Sequence, residues 1–318
     1  MRKLLNSLTF LLAGGAALIA QNIDIDDLLS RYTGANGDLF MQPLGDALGA
    51  NLNTGLFHGA YIQPGLKPQI YVGLSTMTAV IPESSRMFTA VTEGNFFPTT
   101  TVEGVPTIFG DVDGAIADGP AGTNYFFPGG LDLHYLPIAC PQISVGSLFG
   151  TDLTIRYAPI GSLMKSFGLE DVDLVNEMNI FGWGIRHNVS QWLGDLAKFD
   201  ISLGYYQNSF SSRDYIVVKS SLISLQASYN QRLLTIYGGL GIESSSMKIH
   251  YQSDENDMLI DYDLEGADKL RLTIGACLNA GPVKLYADYN VAQTISTISV
   301  GLGIGINELE KIETQEEW

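Results

Sequence analysis

Residues 294–307 read TISTISVGLGIGIN, a stretch in which large aliphatic side chains alternate with very small ones. Successive side chains of a β-strand point to opposite faces, so this stretch has one wholly apolar face and one almost bare face. Glycine weakens a strand interior and offers nothing to pack, which makes the stretch a poor strand for the middle of a soluble sandwich. A closed barrel suits it better, because the small face leaves room in the lumen for an internal segment or for the opposite wall.

Other segments show the same two-sided pattern. FDISLGY at 199–205, LRLTIGACLN at 270–279 and KLYADYNV at 284–291 each have one face without charge, while the other face is polar, small or charged. A soluble secreted sandwich also alternates, and it stays the alternative. Long strands, together with tight turns that alternate with long polar loops, favour a membrane barrel.

The N-terminus adds an export signal to this pattern. Residues 1–20, MRKLLNSLTFLLAGGAALIA, place two basic residues before an apolar run that ends in small residues, which is the order of a secretory signal peptide. No later run reaches the ~18 to 20 apolar residues of a membrane helix, so a mature chain that spans a membrane must do so as a closed barrel. The sequence therefore predicts an all-β fold in the outer membrane of a Gram-negative cell: a transmembrane antiparallel β-barrel of about 12 strands (range roughly 10–14) with a short N-terminal helical plug.

The plug is predicted from a change of period ahead of the strands. The predicted parts are the signal peptide 1–20, the plug 21–66, the barrel 67–307 and an acidic tail 308–318. Within the plug, Pro43 suits the first turn of a helix. Gly45 and Gly49 lie four positions apart and allow close packing, and Asp38 and Asp46 are available as partners for basic groups in the lumen.

The first strands are predicted in the region that follows the plug. QIYVGLSTMTAV at 69–80 is the first long strand, and RMFTAVTEG at 86–94 is predicted as its hairpin partner. Residues 94–130 are rich in Gly, Pro, Thr and Asp and are predicted as a long irregular loop that contains one strand.

Alternation also predicts which charged side chains face the lumen. These are Arg156, Arg186, Arg271 and Lys284, with Asp200, Glu243 and Asp288 as the opposite charges. One interpretation is a lumen that accepts an anionic head group such as a carboxylate, to which arginine binds well. The other, which we favour, is simple pairing across the lumen, since inward charges are common in barrels.

Composition and motifs exclude several classes of function. The chain has 17 basic and 34 acidic side chains, a formal charge of −17, so its surface repels nucleic acid. No HExxH or GxSxG motif occurs, and we expect neither an enzyme nor a bound metal or other cofactor. Cys140 and Cys277 are expected to be isolated thiols, although a disulfide between them stays open.

Two further patterns have a functional and a structural interpretation. The acidic loop at 252–266 and the pair Asp111 and Asp113 carry carboxylates that calcium prefers, but neither spacing matches a calcium loop, so solvated polar loops are favoured. Trp183 and Trp192 flank a polar turn and serve either as anchors at the membrane interface or as packing within the turn.

Four segments resemble a known family. PLGDALGANLNTGLFHGA, VIPESSRMF, LTIRYAPI and GIRHNVSQWL look like an uncharacterised family of Gram-negative outer-membrane barrels that is itself similar to the long-chain fatty-acid transporter superfamily. The resemblance covers roughly residues 40–306. It implies a hatch in the lumen and the passage of hydrophobic small molecules. The transporters' Asn-Pro-Ala string does not occur, and the chain continues past Asn307 into ELEKIETQEEW.

Three functional hypotheses follow from these features. The first is a conduit for small hydrophobic or amphipathic ligands, with membrane lipids as its surroundings. The second is a structural or surface-display barrel whose loops at 94–130 and 252–266 contact partners. The third and weakest is a lipid-modifying barrel enzyme, for which His187 beside Ser190 is the only local support.

Overall fold

A computed structural model describes residues 34–93, 97–160, 178–193, 198–212, 215–252 and 259–306. The predicted signal peptide, the first part of the predicted plug and the predicted acidic tail lie outside these residues. No helix among them is both long enough and apolar enough to cross a membrane.

The dominant feature is a closed antiparallel barrel of ten strands. Its strands are β1 (Gln69–Val80), β6 (Tyr135–Gly146), β7 (Thr151–Ala158), β8 (Met178–Asn188), β9 (Phe199–Ser212), β10 (Ile216–Asn230), β11 (Leu234–Gln252), β13 (Leu270–Ala280), β14 (Val283–Val291) and β15 (Ser296–Ile306). Hydrogen-bonded neighbours follow the order β1, β6, β7, β8, β9, β10, β11, β13, β14 and β15, and β15 pairs with β1 to close the ring. The ten barrel strands lie within the predicted range and below the expected dozen.

One further strand belongs to the same sheet without belonging to the ring. β12 (Leu259–Glu265) pairs with the outer part of β11, from Ser246 to Gln252. β11 therefore extends beyond the ring as a hairpin, and part of the predicted acidic loop is strand.

The two ends of the barrel differ in the length of their connections. At the short-turn end, three connections have two to four residues, and the connection from β8 to β9, residues 189–198, is longer. At the opposite end, which we call the long-loop end, two connections are short, at 213–215 and 292–295, and the others are long, at 81–134, 159–177 and 253–269. In outer-membrane barrels the short turns face the periplasm and the long loops face the exterior.

Residues 81–134 fold into a cap over the long-loop end. Its strands form two hairpins, β2 (Met87–Val91) with β3 (Thr101–Pro106) and β4 (Ala115–Asp118) with β5 (Asn124–Phe127). The predicted pairing of RMFTAVTEG with the first strand is thus wrong, because β1 pairs with β15 and β6. The prediction of one strand within 94–130 is also wrong, since three short strands lie there.

Residues 34–68, which we call the luminal segment, occupy the inside of the barrel. They begin with helix α1 (Gly34–Leu52) and continue without regular structure to β1. Pro43 lies in the middle of α1, not in its first turn as predicted, because the helix begins nine residues earlier at Gly34. Proline in that place removes one helical hydrogen bond, the one to the carbonyl of Leu39, whose side chain is exposed.

Burial alternates along the barrel strands as a closed barrel requires. On β15 the five aliphatic residues are exposed and the residues between them are buried, and β13 and β14 show the same alternation. The exposed row is continuous around the ring and consists mainly of Leu, Ile and Val, with Tyr, Trp and Phe among them. The exterior of the barrel is therefore an apolar surface of the kind that meets lipid.

Candidate functional site

The lumen and the segment inside it form the candidate site. α1 starts at the long-loop end, where Asn36 bonds to the main chain of Val91 in the cap, and the chain then runs toward the short-turn end. Its path is fixed by contacts with the wall, among them the bond from Asn188 Nδ2 to the carbonyl of Ile62 at 2.8 Å. The luminal segment thus passes through the barrel from one end to the other.

The long-loop half of the lumen is an apolar core. Phe40 and Ala47 of α1 are fully buried among inward side chains of the wall and residues of the cap. The wall side chains in this core include Met77, Ile180, Phe210, Val218 and Met247. An α-helix satisfies its own backbone hydrogen bonds, so its surface can be packed by apolar groups without cost.

Gly45 and Gly49 of α1 lie against β11. A Cβ at Gly49 would overlap the side chain of Ser245, and a Cβ at Gly45 would lie 3.3 Å from two atoms of Met247. These two glycines therefore let the helix approach the wall. Asp46, on the same helix, accepts bonds from the Ala267 amide at 2.8 Å and from Gln42 at 3.0 Å.

The other predicted plug acid, Asp38, lies on the exposed side of α1 near its start. Neither Asp38 nor Asp46 forms an ion pair with the predicted lumen bases among the described residues. The partners described for these bases lie on the wall and on the luminal segment.

Arg271 holds the C-terminal end of α1. Its guanidinium pairs with Glu243 at 2.8 Å and donates to the Ala50 carbonyl at 3.1 Å and to Thr54 Oγ1 at 2.9 Å. The last carbonyls of a helix lack partners within the helix, and a cation there is favoured by the helix dipole. Both members of the pair are almost completely buried.

Arg156 holds the chain just beyond the helix. It donates to the Thr54 carbonyl at 2.8 Å, to the Gly55 carbonyl, and to Gln142 Oε1 at 2.9 and 3.0 Å. Its side chain is buried, and among the described residues it has no carboxylate partner. A planar guanidinium with five donors is suited to bind two adjacent carbonyls and an amide oxygen together.

Arg186 holds the next part of the segment. It forms a buried bidentate pair with Asp152 and donates to the Gly59 carbonyl at 2.7 Å. Asp152 was missed from the sequence, although it lies four residues before Arg156 in one strand and so shares its face. The same spacing rule could have found it.

The remaining predicted charges lie on inward positions, where each bonds to a neutral side chain. Asp288 accepts from Tyr237 at 2.9 Å and from Ser299 at 2.6 Å. Asp200 accepts from Asn230 at 2.8 Å. Lys284 donates to Asn279 Oδ1 at 2.8 Å.

Two tyrosines near the short-turn end explain the glycines of β15. A Cβ at Gly301 would overlap the ring of Tyr286, and a Cβ at Gly303 would lie 2.6 Å from the ring of Tyr71. Gly301 and Gly303 thus make room for rings from the neighbouring strands, while the luminal segment contacts the small face of β15 further along, at Thr297. His58 of the luminal segment lies against both rings, with centroid distances of 4.4 Å to Tyr71 and 5.2 Å to Tyr286.

The two predicted tryptophan anchors lie at different places on the barrel. Trp183 is on the outer face of β8, edge-on to Tyr205 at 5.7 Å. Trp192 is 70% exposed in a short 3-10 helix at the short-turn end, where its ring lies 4.8 Å from that of His187. The polar turn that was predicted between them is partly strand, because β8 continues to Asn188.

The other candidate groups are occupied by structural contacts. His187 bonds to Thr151 and Gln191 through its two ring nitrogens, while the Ser190 hydroxyl donates to Asn188 and to Asp200, so these contacts do not join His187 to Ser190. Cys140 and Cys277 are buried, and no disulfide joins them.

The acidic groups considered for calcium are divided between described and undescribed residues. Asp263 pairs with Lys248 at 2.6 Å, and Asp111 accepts from the Asp113 amide at 3.1 Å. Asp254, Glu255 and Asp257 lie outside the described residues. Among those that are described, no group of three or more acidic, histidine or cysteine side chains is arranged to hold a metal.

Comparison with known proteins gives a family and several barrel structures. A family model described as "Family of unknown function (DUF6588)" matches residues 1–306. No curated protein matches the chain.

Solved structures similar to the chain include Ail, the attachment invasion locus protein of Yersinia pestis, at 11% identity over 75% of this chain and 95% of Ail, with a TM-score of 0.27. An OmpT loop-deletion mutant, an outer membrane protein of Vibrio cholerae, matches at 9% identity over 75% of this chain and 99% of that protein, with a TM-score of 0.28. The toluene transporter TodX of Pseudomonas putida matches at 11% identity over 88% of this chain and 97% of TodX, with a TM-score of 0.28.

Proposed function

This chain belongs to DUF6588, a family of unknown function, and we propose that it is an outer-membrane β-barrel whose lumen is a gated conduit for small hydrophobic or amphipathic ligands. In this proposal the luminal segment is the gate, membrane lipids surround the barrel, and no cofactor or catalysis is involved. The proposed kinship with the long-chain fatty-acid transporter superfamily belongs to the same hypothesis.

One observation carries the proposal: from the end of α1 onward, the luminal segment is held through hydrogen bonds from arginines to its main-chain carbonyls. Arg271, Arg156 and Arg186 bind the carbonyls of Ala50, of Thr54 and Gly55, and of Gly59 in succession. Such bonds can be exchanged for bonds to water or to a ligand carboxylate, which binds a guanidinium in the same bidentate way. Beside these bonds, Leu56 and Phe57 of the segment pack against Tyr206, Leu222 and Tyr237 of the wall.

The ligand class follows from the same groups. When the carbonyls leave, Arg156 becomes a buried cation without an acidic partner among the described residues, which is costly unless an anion replaces them. A hydrophobic molecule with a carboxylate head provides that anion. Laurate is therefore a suitable probe.

A reversible lock of the luminal segment tests the proposal. Thr54 Oγ1 and Thr297 Oγ1 lie 2.6 Å apart, one on the segment and one on β15. The double variant Thr54→Cys/Thr297→Cys can join the segment to the wall by a disulfide under oxidation. In proteoliposomes we expect laurate uptake to stop under oxidation and to return under reduction, while the single variant Thr54→Cys takes up laurate under both conditions.

Uptake that is the same in the oxidised and reduced double variant would overturn the gate. Absence of uptake by the wild-type protein under every condition would overturn the conduit. Recovery of the protein in the soluble periplasmic fraction would overturn the membrane location.

A second candidate is a surface-display barrel that does not transport, and the cap favours it. Ile116 and Phe126 pair across the β4–β5 hairpin and are 58% and 63% exposed. Apolar side chains that are exposed together on a loop mark a contact surface. Replacing residues 94–130 by a short linker distinguishes the two, because display predicts loss of partner binding with laurate uptake unchanged.

A further inference from the structure

A groove of about 620 Å³ is lined mainly by outward positions of β8, β9, β10 and β11 and by Glu265 and Lys269, and the inward positions Asn208, Ser220 and Ser245 complete its lining. Most of its lining residues are polar, in contrast to the rest of the exterior. Ser209, Ser221, Ser244 and Ser246 contribute hydroxyl groups, and Lys219 and Lys269 contribute ammonium groups.

The strand register places this polar lining directly above apolar rows. Gln207, Ser221 and Ser244 are register partners across β9, β10 and β11. Two residues closer to the short-turn end, on the same face, the next row of register partners is Tyr205, Ile223 and Ile242. The row after that consists of three leucines, Leu203, Leu225 and Leu240. One face of three strands therefore changes from hydroxyl-rich to apolar within a single step.

Aromatic rings form one side of the groove. Trp183 and Phe181 of β8 are register partners of Gln207 and Ser209, and both rings are exposed. Indole and phenol rings are favoured at the boundary between lipid tails and head groups, and Trp183 lies beside the ring of Tyr205. The groove is thus at the level where a lipid changes from tail to head.

The groove is lined by more basic than acidic side chains. Lys219 is exposed and has no ion-pair partner in the described part of the chain, and Lys269 lies across the groove and donates to the Gly266 carbonyl at 2.9 Å. One acid, Glu265, accompanies these two lysines. On a chain of formal charge −17, a groove with an excess of basic groups is distinctive. Lysine binds phosphate as a point charge, and basic residues at a membrane surface attract anionic head groups.

We infer that this groove binds the phosphorylated sugar head group of a lipid in the outer leaflet. The lysines bind the phosphate, the serine hydroxyls and Gln207 bind sugar hydroxyls, and the apolar rows below contact the acyl chains. The lipid origin follows from those rows, since a soluble sugar phosphate would make no use of them. The inference relies on the proposed membrane location, with the long-loop end outside, and not on transport.

Binding of lipid A to the full-length protein folded in detergent tests this inference. The probe is diphosphoryl lipid A, and the readout is its dissociation constant by native mass spectrometry. We expect the double variant Lys219→Gln/Lys269→Gln to bind at least tenfold more weakly. Lys198→Gln, which removes a lysine next to β9 at the short-turn end, is the matched control and should bind like the wild type.

A second variant guards against a misfolded double variant. Ser244→Leu fills the floor of the groove and leaves both lysines in place, and it should also weaken binding tenfold. The gel shift between boiled and unboiled samples reports whether each barrel is folded.

Two ligand controls show whether the phosphates and the acyl chains of the lipid both contribute to binding. Lipid A without its phosphates should bind more weakly than the diphosphoryl form, and glucosamine 1-phosphate, which has the head chemistry without tails, should bind far more weakly still. Equal binding of diphosphoryl lipid A by the wild type and the groove variants would overturn the inference, as would equal binding of glucosamine 1-phosphate and lipid A. Neither outcome involves laurate uptake, so a failure of the lipid-binding inference can be distinguished from a failure of the proposed conduit.

Discussion

The two halves of the lumen hold the same continuous segment by different physics. In the long-loop half a helix packs against Met77, Phe210 and other apolar side chains, whereas in the short-turn half a chain without regular structure is bound by arginines and also packs Leu56 and Phe57 in a second apolar cluster. The helix satisfies most of its backbone groups internally, so it depends mainly on shape complementarity. The irregular chain brings unpaired carbonyls into a buried space, and they require donors. Secondary structure therefore decides which wall residues each half needs.

The largest effect that this contrast predicts comes from Arg271, at the junction of the two halves. Arg271→Ala leaves Glu243 buried without its partner, which costs about 3–5 kcal/mol of unfolding free energy. Urea unfolding in detergent measures the change. The double variant Arg271→Met/Glu243→Met should lose much less, because no buried charge is left alone. An equal loss in both variants would show that the pair acts through packing and not through charge.

Arg156 tests the hydrogen-bonded half alone. Arg156→Lys keeps the charge but cannot reach both carbonyls and Gln142, so we expect a loss of about 1.5–3 kcal/mol, the range for hydrogen bonds to charged groups. Hydrogen exchange should increase at residues 53–62 while α1 stays protected. Increased exchange over the whole luminal segment would contradict the independence of the two halves.

Gly49 tests the packed half. Gly49→Ala places a methyl group on Ser245 and should destabilise the barrel by about 1–3 kcal/mol through overpacking. Gly45→Ala is the milder comparison, since its new methyl group would lie 3.3 Å from Cβ and Cε of Met247, which must shift by only a few tenths of an ångström, and the helix gains propensity. Ser245→Gly should rescue Gly49→Ala. Failure of that rescue would mean that Gly49 is required for another reason.

The smallest effect is expected in the cap and depends on pH. Arg86 donates to Asp132 at 2.6 Å, and this bond lowers the pKa of Asp132 below its ordinary value of 3.8. A lowered pKa in the folded state means that the pair stabilises the cap above pH 3.8 and is lost as the pH falls through the folded value. Pepsin cleavage within residues 81–134 should therefore increase between pH 5 and pH 2.5.

The matched variants distinguish this pair from general acid effects. Asp132→Asn lacks the ion pair at every pH. Its cap should therefore be cleaved as readily at pH 5 as at pH 2.5, whereas the wild-type cap is cleaved more readily at the lower pH. Asp118→Asn, in the same cap, should behave like the wild type. A wild-type response in Asp132→Asn would remove the pair from the account of cap stability.

The sequence predicted the orientation of side chains on the barrel strands far better than the contacts of the luminal segment inside the barrel. Alternation with a period of two is a local property, so it identified the outward row of β15 and the inward positions of Arg156, Arg186 and Arg271 without any knowledge of neighbours. It also identified a helix that contains Gly45 and Gly49. Local pattern was sufficient wherever the barrel imposes one geometry on every strand.

The partners of these residues could not be read from the chain. Arg156 binds carbonyls of residues 54 and 55, about a hundred positions away, and backbone acceptors leave no mark in a sequence. The rings over the glycines of β15 come from β1 and β14, which depends on strand order. The cap hairpins were missed because their strands are short and lie between Gly and Pro residues, a composition typical of loops. The pairing of β2 with β1 was predicted because β2 follows β1 closely in the chain, as the second strand of a hairpin does.

The position of the luminal segment also constrains how the molecule is assembled. Residue 34 lies at the long-loop end and β1 starts at the short-turn end, so the chain ahead of β1 traverses the whole ring. A finished ring would have to be threaded by a free end through a space filled with side chains. Pairing β1 with β15 around a luminal segment that is already in place avoids this obstacle. The pairing of these two strands is then the step that encloses the segment. A chain whose luminal segment is misplaced when the two strands pair would be trapped in that state.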